Sequence, residues 1–184
     1  MNPHYFIAIS LPIILKEKLN NIQSNLESVL PYQSWTYKED LHITVKFLGE
    51  ADIKSIQELK EKLNHLTTLP SFKTKIKSIG YFGREASPRI LWAGVQRNQE
   101  MENLKKEVEW LTHKKFDRER REFKPHITLA KKWNGTPNKK VIKNIADEYK
   151  NECFLLTVSD VTLYKIEPKN YPKYKAICTY RLKE

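Results

Sequence analysis

The sequence has little of what thiolate metal sites, disulfide frameworks and membrane spans require. Its only two cysteines, Cys153 and Cys178, form no CxxC pair and fall in predicted strands. A zinc site or a disulfide framework is therefore not expected, and reduced thiols are typical of a cytoplasmic protein. No apolar run is long enough to span a bilayer, and Pro12 interrupts the one that begins at Tyr5. We therefore expect a cytoplasmic protein without a membrane segment.

Several motifs for nucleotide and metal chemistry are also missing. The chain has no GxxxxGK[ST] loop, no HxHxH run and no HExxH motif. A P-loop nucleotidase, a histidine-triad nucleotide-binding protein and a zincin-type metalloenzyme are therefore not expected.

The chain has an excess of positive charge, with a net charge of +11 at pH 7. That balance favours a polyanionic partner such as nucleic acid, although a lysine-rich surface can also serve solubility.

A histidine tripeptide occurs twice in the chain. His42–Thr44 lies in LHITV and His126–Thr128 lies in PHITL, and the two histidines are 84 residues apart (126 − 42). Both tripeptides lie in short apolar runs that predict strands. Because side chains alternate along a strand, the histidine and threonine of each motif share one face. One copy alone fits a strand with a solvated polar face, whereas two copies in the same context indicate two halves of one cleft.

The paired motifs carry the groups that phosphodiester hydrolysis requires. A neutral imidazole can take a proton from water, and an imidazolium can give one to a leaving oxygen near neutral pH. Threonine hydroxyls can donate hydrogen bonds to nonbridging phosphate oxygens, and nearby lysines can balance the charge that develops in the transition state. This set of groups needs no metal ion.

The hydrophobic periodicity predicts strands and helices in an order that loosely repeats in the two halves of the chain. Each half has its own motif strand, which suggests an internal duplication. We predict an α+β fold, with residues 1–184 forming one bilobal domain of two pseudo-symmetric, mainly antiparallel sheets and helices on the outside. Gly80–Gly83 is predicted to be a turn, and Phe154–Tyr164 a single strand.

The motifs and their context resemble a known family. The segments FIAISLP, HITVKFLGE, RILWAGV, FKPHITLAK and VTLY, in this order, resemble the two-histidine phosphoesterases. The most similar branch is the LigT-like RNA 2′,3′-cyclic phosphodiesterases, formerly named 2′-5′ RNA ligases, and the resemblance covers nearly the whole chain. It implies a central cleft that carries both histidines. It also implies hydrolysis of RNA 2′,3′-cyclic phosphate ends to 2′-phosphate without a cofactor or metal. Nothing in the sequence requires an oligomer, so we expect a monomer.

The resemblance also implies roles for particular residues. His42 corresponds to the proton donor and His126 to the proton acceptor, while Thr44 and Thr128 correspond to phosphate-binding residues. Lys131 stands where the family often has arginine, and it can act on phosphate as a point charge without the bidentate fork. Strict alternation would direct Lys131 away from the histidine, so this role requires a bulge or a strand end.

Lys46 is a further candidate, because simple alternation places it on the face of His42, where it would contact phosphate. A second departure from the family is Lys165-Ile166, which stands where a Glu-Ser pair is common and leaves the character of this loop open.

Aromatic and basic residues elsewhere could bind RNA. Phe82 and Trp133 are candidates for stacking on bases, whereas Phe47 is expected to pack in the core. Three arginines could hold the RNA backbone or form a solvated charge run: Arg118, Arg120 and Arg121.

Three alternative functions remain open at this point. Within the same chemistry, the protein could join a cyclic phosphate end to a 5′-hydroxyl as a 2′-5′ RNA ligase, or hydrolyse a small cyclic phosphate. In a different class, it could be a non-catalytic RNA-binding module. The intact pair of motifs favours an enzyme.

Overall fold

The computed structural model describes residues 2–117, 121–136 and 139–184, so Arg118 and Arg120 lie outside the described residues. The described strands are β1 (His4–Ser10), β2 (Tyr32–Trp35), β3 (His42–Glu50), β4 (Phe72–Arg84), β5 (Ser87–Val95), β6 (His126–Trp133), β7 (Cys153–Val158), β8 (Asp160–Ile166) and β9 (Tyr174–Arg181). The α-helices are α1 (Ile13–Glu27), α2 (Ile53–Leu63), α3 (Gln99–Thr112) and α4 (Lys139–Glu148). No helix among these residues is long and apolar enough to cross a membrane.

The strands form one sheet that has two similar halves. Its order is β7-β4-β5-β6-β3-β1-β8-β9, with β2 also paired to β6, and the named strands pair antiparallel throughout. The two halves meet where β3 and β6 run side by side, and there the ladder consists of the single pair Ile43–Ile127. The predicted α+β fold with mainly antiparallel strands is confirmed, and the two expected sheets are joined at this pair into one.

Two amphipathic helices cover the motif strands. The buried side of α1 recurs at helical spacing, and so does that of α3. These residues are Leu15, Leu19, Ile22 and Leu26 in α1, and Met101, Leu104, Val108 and Leu111 in α3. Helix α1 contacts β2 and β6, whereas α3 contacts β3. Ile43 and Ile127 are fully buried, so the histidine faces of the two motif strands are directed away from this core.

The prediction of a turn at Gly80–Gly83 is wrong, because β4 continues through this segment to Arg84. Gly80 pairs with Trp92 of β5, and a Cβ at position 80 would lie only 2.2 Å from Cη2 of the Trp92 indole. The glycine therefore makes room for an aromatic ring across the sheet, a role that glycine takes in strand interiors.

The prediction of one strand over Phe154–Tyr164 is also wrong. The chain forms β7 up to Val158 and then β8 from Asp160, and these two strands lie in different halves of the sheet. Ser159 connects them without a glycine or proline, so the crossing leaves no local signal in the sequence.

We predict that Gly80→Ala lowers the free energy of unfolding by about 1–3 kcal/mol, because the added methyl group overlaps the Trp92 ring. Denaturant unfolding measures the change. The same substitution in a Trp92→Leu background provides the control, since the smaller side chain leaves room for the methyl group. An equal cost in both backgrounds would contradict this explanation.

Candidate active site

A β-bulge follows the first motif. On β1, Ala8 pairs with Thr44 and Ile7 with Lys46, so Val45 is one extra residue on β3. The bulge reverses the alternation of the residues that come after it. Lys46 is consequently 2% exposed, whereas Phe47 is 52% exposed on the side of the motif histidine.

The same bulge follows the second motif. On β5, Trp92 pairs with Thr128 and Leu91 with Ala130, so Leu129 is the extra residue of β6. Ala130 is fully buried, and Lys131 turns to the side of the histidine and threonine. The bulge that a phosphate-binding role for Lys131 requires is therefore present.

Two predictions about the first motif strand are corrected by its bulge. Lys46 does not share the face of His42, because its Nζ lies in the interior and donates to Oε2 of Glu109 at 2.6 Å. Phe47 is not part of the core, because it lines the cleft next to His42. Both corrections have one cause, since a single extra residue exchanges the two faces of a strand.

The pair Ile43–Ile127 sets how the two motifs face each other. Because the strands are antiparallel about this pair, His42 lies opposite Thr128, and Thr44 lies opposite His126. The structure thus brings both motifs together on one face with approximate two-fold symmetry. A cavity of about 130 Å³ opens here, and its lining comprises Phe6, Thr36, His42, Thr44, Phe47, Thr128, Lys131, Ile166 and Tyr174.

Both histidines are held in the same tautomer. Nδ1 of His42 lies 2.7 Å from the carbonyl oxygen of Asp40, and Nδ1 of His126 lies 2.7 Å from that of Lys124. A carbonyl oxygen can only accept, so each Nδ1 carries a hydrogen and each Nε2 is left for proton transfer. Nε2 of neutral His42 accepts from the hydroxyl of Thr44 at 2.9 Å.

The surroundings hold the histidines neutral in the free protein. Desolvation lowers the pKa of His42 to about 4, the bond to the Asp40 carbonyl opposes this shift, and the nearby Lys131 ammonium adds to it. Desolvation also lowers the pKa of His126, again opposed by its carbonyl partner and assisted by Lys131. The pKa of Lys131 is itself lowered, by burial and then by Lys173. The cleft is therefore a desolvated site of positive potential, which favours an anion.

Aromatic rings fix the plane of His42. Phe6 lies 4.8 Å from it between ring centroids, and Tyr174 meets it edge-on at 5.1 Å. The buried carboxylate of Asp40 accepts from the backbone N–H groups of Lys173 and Tyr174, at 3.0 and 3.1 Å, and so holds this segment against the motif. The sequence predictions did not include Phe6, Asp40 or Tyr174. No local pattern indicates the Asp40 contacts, which join residues more than 130 positions apart.

The two stacking candidates lie in different places. Phe82 meets His126 edge-on at 4.8 Å and lines a second cavity of about 310 Å³, together with Trp92, Lys77 and Lys124. Trp133 is not brought to the histidines. It packs edge-on against Tyr32 and borders a separate surface groove with Pro31.

Comparisons with known proteins place the chain in a family over nearly its whole length. The family model described as the AKAP7 2′5′ RNA ligase-like domain matches residues 3–182. An RNA 2′,3′-cyclic phosphodiesterase of Methanocaldococcus jannaschii is 34% identical over 95% of this chain and 91% of its own length. One from Bacillus subtilis is 28% identical, with 99% and 98% covered. A relative with the same name from Geobacillus stearothermophilus is 30% identical, but this chain spans only 57% of its length.

Solved structures give the same fold. The crystal structure of Escherichia coli LigT complexed with 3′-AMP superposes with a TM-score of 0.79 at 20% identity, covering 100% of both chains. The fold and the paired motifs define a LigT-like two-histidine phosphoesterase. Within that class, the chain belongs to the 2′5′ RNA ligase-like family.

We predict that His42 titrates in the free protein with a midpoint of about 4, and His126 with one below its usual value. Lys131→Met should raise both midpoints, because a neighbouring positive charge disfavours an imidazolium and its removal favours it. Proton NMR of the imidazole rings as a function of pH measures the midpoints. Lys16→Met is the matched control, since Lys16 lowers the pKa of His42 without an equivalent effect on His126. Midpoints for both rings near 6.5 in the parent protein would contradict the electrostatic description.

Proposed function

We propose that the protein hydrolyses RNA 2′,3′-cyclic phosphate ends to 2′-phosphate. One observation carries the proposal: the two motifs lie on one face about the Ile43–Ile127 pair, and each histidine bonds a backbone carbonyl through Nδ1, which leaves proton transfer to Nε2. The name of the Methanocaldococcus and Bacillus relatives, RNA 2′,3′-cyclic phosphodiesterase, supports the same reaction. The net charge of +11 fits an RNA substrate.

The reaction uses one histidine on each side of phosphorus. Nε2 of His126 takes a proton from water while the water oxygen attacks phosphorus, and the bond from phosphorus to O3′ breaks. Nε2–H of protonated His42 gives its proton to O3′, which leaves a 3′-hydroxyl and a 2′-phosphomonoester. The assignment of His42 as the acid and His126 as the base follows the family resemblance, and each step is general acid–base catalysis.

Substrate binding raises the pKa of His42, so that its imidazole takes up from solvent the proton that it later donates. With a pKa of about 4, His42 is neutral in the free protein at pH 7, but a phosphodiester anion beside it stabilises the imidazolium. Protonated Nε2 becomes a donor, so it no longer accepts from Thr44. The Thr44 hydroxyl, together with that of Thr128, can then donate to the nonbridging phosphate oxygens, and Lys131 balances the charge of the transition state.

We propose that the protein acts in the cytoplasm as a monomer. The free state of Cys153 and Cys178 supports the cytoplasmic location. RNA binds through the basic surface, and Phe82 stacks on a base at the rim beyond His126, where its ring is partly exposed.

We predict that His42→Ala and His126→Ala each lower the turnover of a short RNA 2′,3′-cyclic phosphate by about 10²- to 10⁴-fold, because each removes one proton-transfer group. The assay separates 2′-phosphate product from substrate in the presence of EDTA, and RNA affinity is measured in parallel. His65→Ala is the control, since His65 pairs with Glu107 and does not line the cleft. Turnover that survives both substitutions, or that EDTA abolishes in the parent, would contradict the mechanism.

The same assay distinguishes the alternative functions. Turnover confined to mononucleoside or other small cyclic phosphates would identify a small-molecule phosphodiesterase, and RNA binding without turnover would identify a binding module.

One observation favours 2′-5′ RNA ligation as a second activity of the same site. A 5′-hydroxyl that attacks phosphorus must take the place of the water beside His126. The cavity of about 310 Å³ opens there, and it offers the aromatic rings of Phe82 and Trp92 with the ammonium groups of Lys77 and Lys124. Such a cavity suits the base and the phosphate of an incoming RNA strand.

We predict that Lys77→Glu lowers the ratio of ligated to hydrolysed product by about 30-fold when a 5′-hydroxyl RNA is added, because reversal of a charge near phosphate costs about 2 kcal/mol. Gel analysis of both products measures the ratio. Lys62→Glu on α2 makes the same change in net charge away from the cavity and should leave the ratio unchanged. Equal effects of the two variants would exclude this cavity as the binding site of the second strand.

A further inference from the structure

A hydrogen-bond donor reaches each bulge from the helix behind it. Nζ of Lys105, on α3, donates to the carbonyl oxygen of Val45 at 2.9 Å. Nε2 of Gln23, on α1, donates to the carbonyl oxygen of Leu129 at 2.9 Å. Val45 and Leu129 are the extra residues of the two bulges, so the same position is bonded from behind in both halves of the sheet.

A bulge needs such partners because its extra residue falls out of step with the ladder of the neighbouring strand. Its carbonyl oxygen lies in the protein interior here, where each donor that it bonds helps to fix its direction. The oxygen of Leu129 accepts from the backbone N–H of Thr36 as well as from Gln23. Lys105 and Gln23 are themselves buried, with 9% and 4% exposure, so these are interior contacts rather than surface ones.

Each donor is fixed by a second interaction. Lys105 also bonds Oε1 of Glu109 at 2.6 Å, and the other oxygen of Glu109 accepts from Lys46, the residue after the bulge. Gln23 also donates to the carbonyl oxygen of Thr36, whose backbone N–H in turn donates to Leu129 O at 2.8 Å. Thr36 lines the cleft, so this network runs from the helix through the bulge to the site.

We propose that Lys105 and Gln23 are positioning residues of the active site, which hold the two bulges and thereby set where the cleft side chains stand. Lys105 acts on Thr44 and Phe47 through the bulge of β3. Gln23 acts on Thr128 and Lys131 through the bulge of β6. Neither residue touches the substrate, and the catalytic part of the proposal rests on the proposed function.

The sharpest test replaces Gln23 with leucine. The substitution changes no charge, so it can move the titration of the histidines only by moving the groups around them. We expect the NMR titration midpoints of His42 and His126 to rise in the free protein as Lys131 leaves its position, and kcat to fall about tenfold or more. Leu26→Ala, which removes buried apolar contact from the same helix, is the control for lost stability, and both variants are compared where circular dichroism shows them folded.

The first bulge is tested with two variants that remove the same charge. Lys105→Met removes the donor to Val45 O, whereas Lys105→Gln keeps an amide donor, the group that serves the other bulge. Both leave Glu109 paired with Lys46. We expect kcat to fall about tenfold in the methionine variant and to stay within about threefold of the parent in the glutamine variant.

The outcomes separate this proposal from the proposed function. Unchanged titration midpoints in Gln23→Leu, or changes equal to those of Leu26→Ala, would overturn the role of Gln23. Equal kcat in the two Lys105 variants would overturn the role of Lys105. A parent protein that turns over no cyclic phosphate would overturn the proposed function, while the NMR titration would still decide whether Gln23 positions the cleft.

Discussion

The site depends on one extra residue in each motif strand. Regular alternation would direct Lys46 and Ala130 to the cleft, and would bury Phe47 and Lys131. The bulges at Val45 and Leu129 turn Phe47 and Lys131 to the cleft instead, and place Lys46 and Ala130 in the interior. They leave the histidine and threonine of each motif in place. The cleft consequently gains an aromatic ring on one side and a cation on the other. The bulges occur at the same position after each histidine, so both halves of the sheet share this constraint.

The two halves share a backbone plan and differ in chemistry. In the first half a lysine follows the bulge in the interior, and its charge is balanced by Glu109. In the second half an alanine takes that place, and the cation stands in the cleft as Lys131. Symmetry of the backbone places the two imidazoles on one face, and the asymmetry of the side chains gives them different surroundings. Different surroundings are what the proposed mechanism requires, because it assigns an acid to one histidine and a base to the other.

Burial and positive charge link substrate binding to protonation. Desolvation and Lys131 hold both imidazoles neutral, which limits the cost of placing ionisable groups in a dry cleft. In the proposed reaction, a phosphodiester anion reverses that balance, because it stabilises an imidazolium and neutralises the lysine. Thr44 takes part in the exchange, since its hydroxyl donates to His42 only while that ring is neutral. The free site is therefore a desolvated cleft whose positive charge favours an anion.

Local patterns in the sequence were enough to predict the α+β class, the family, and the shared face of His42 with Thr44 and of His126 with Thr128. Those faces follow from alternation within three residues, which is local. The faces of the sheet on which Lys46, Phe47 and Lys131 lie became clear only from strand pairing, because a bulge is defined against a neighbouring strand. Three further features also depend on partners that are remote in sequence. They are the continuation of β4 through Gly80, the crossing between sheet halves at Ser159, and the position of Trp133 away from the histidines. These features could not be predicted from local patterns, because the hydrogen-bond register between two strands is not encoded in either segment alone.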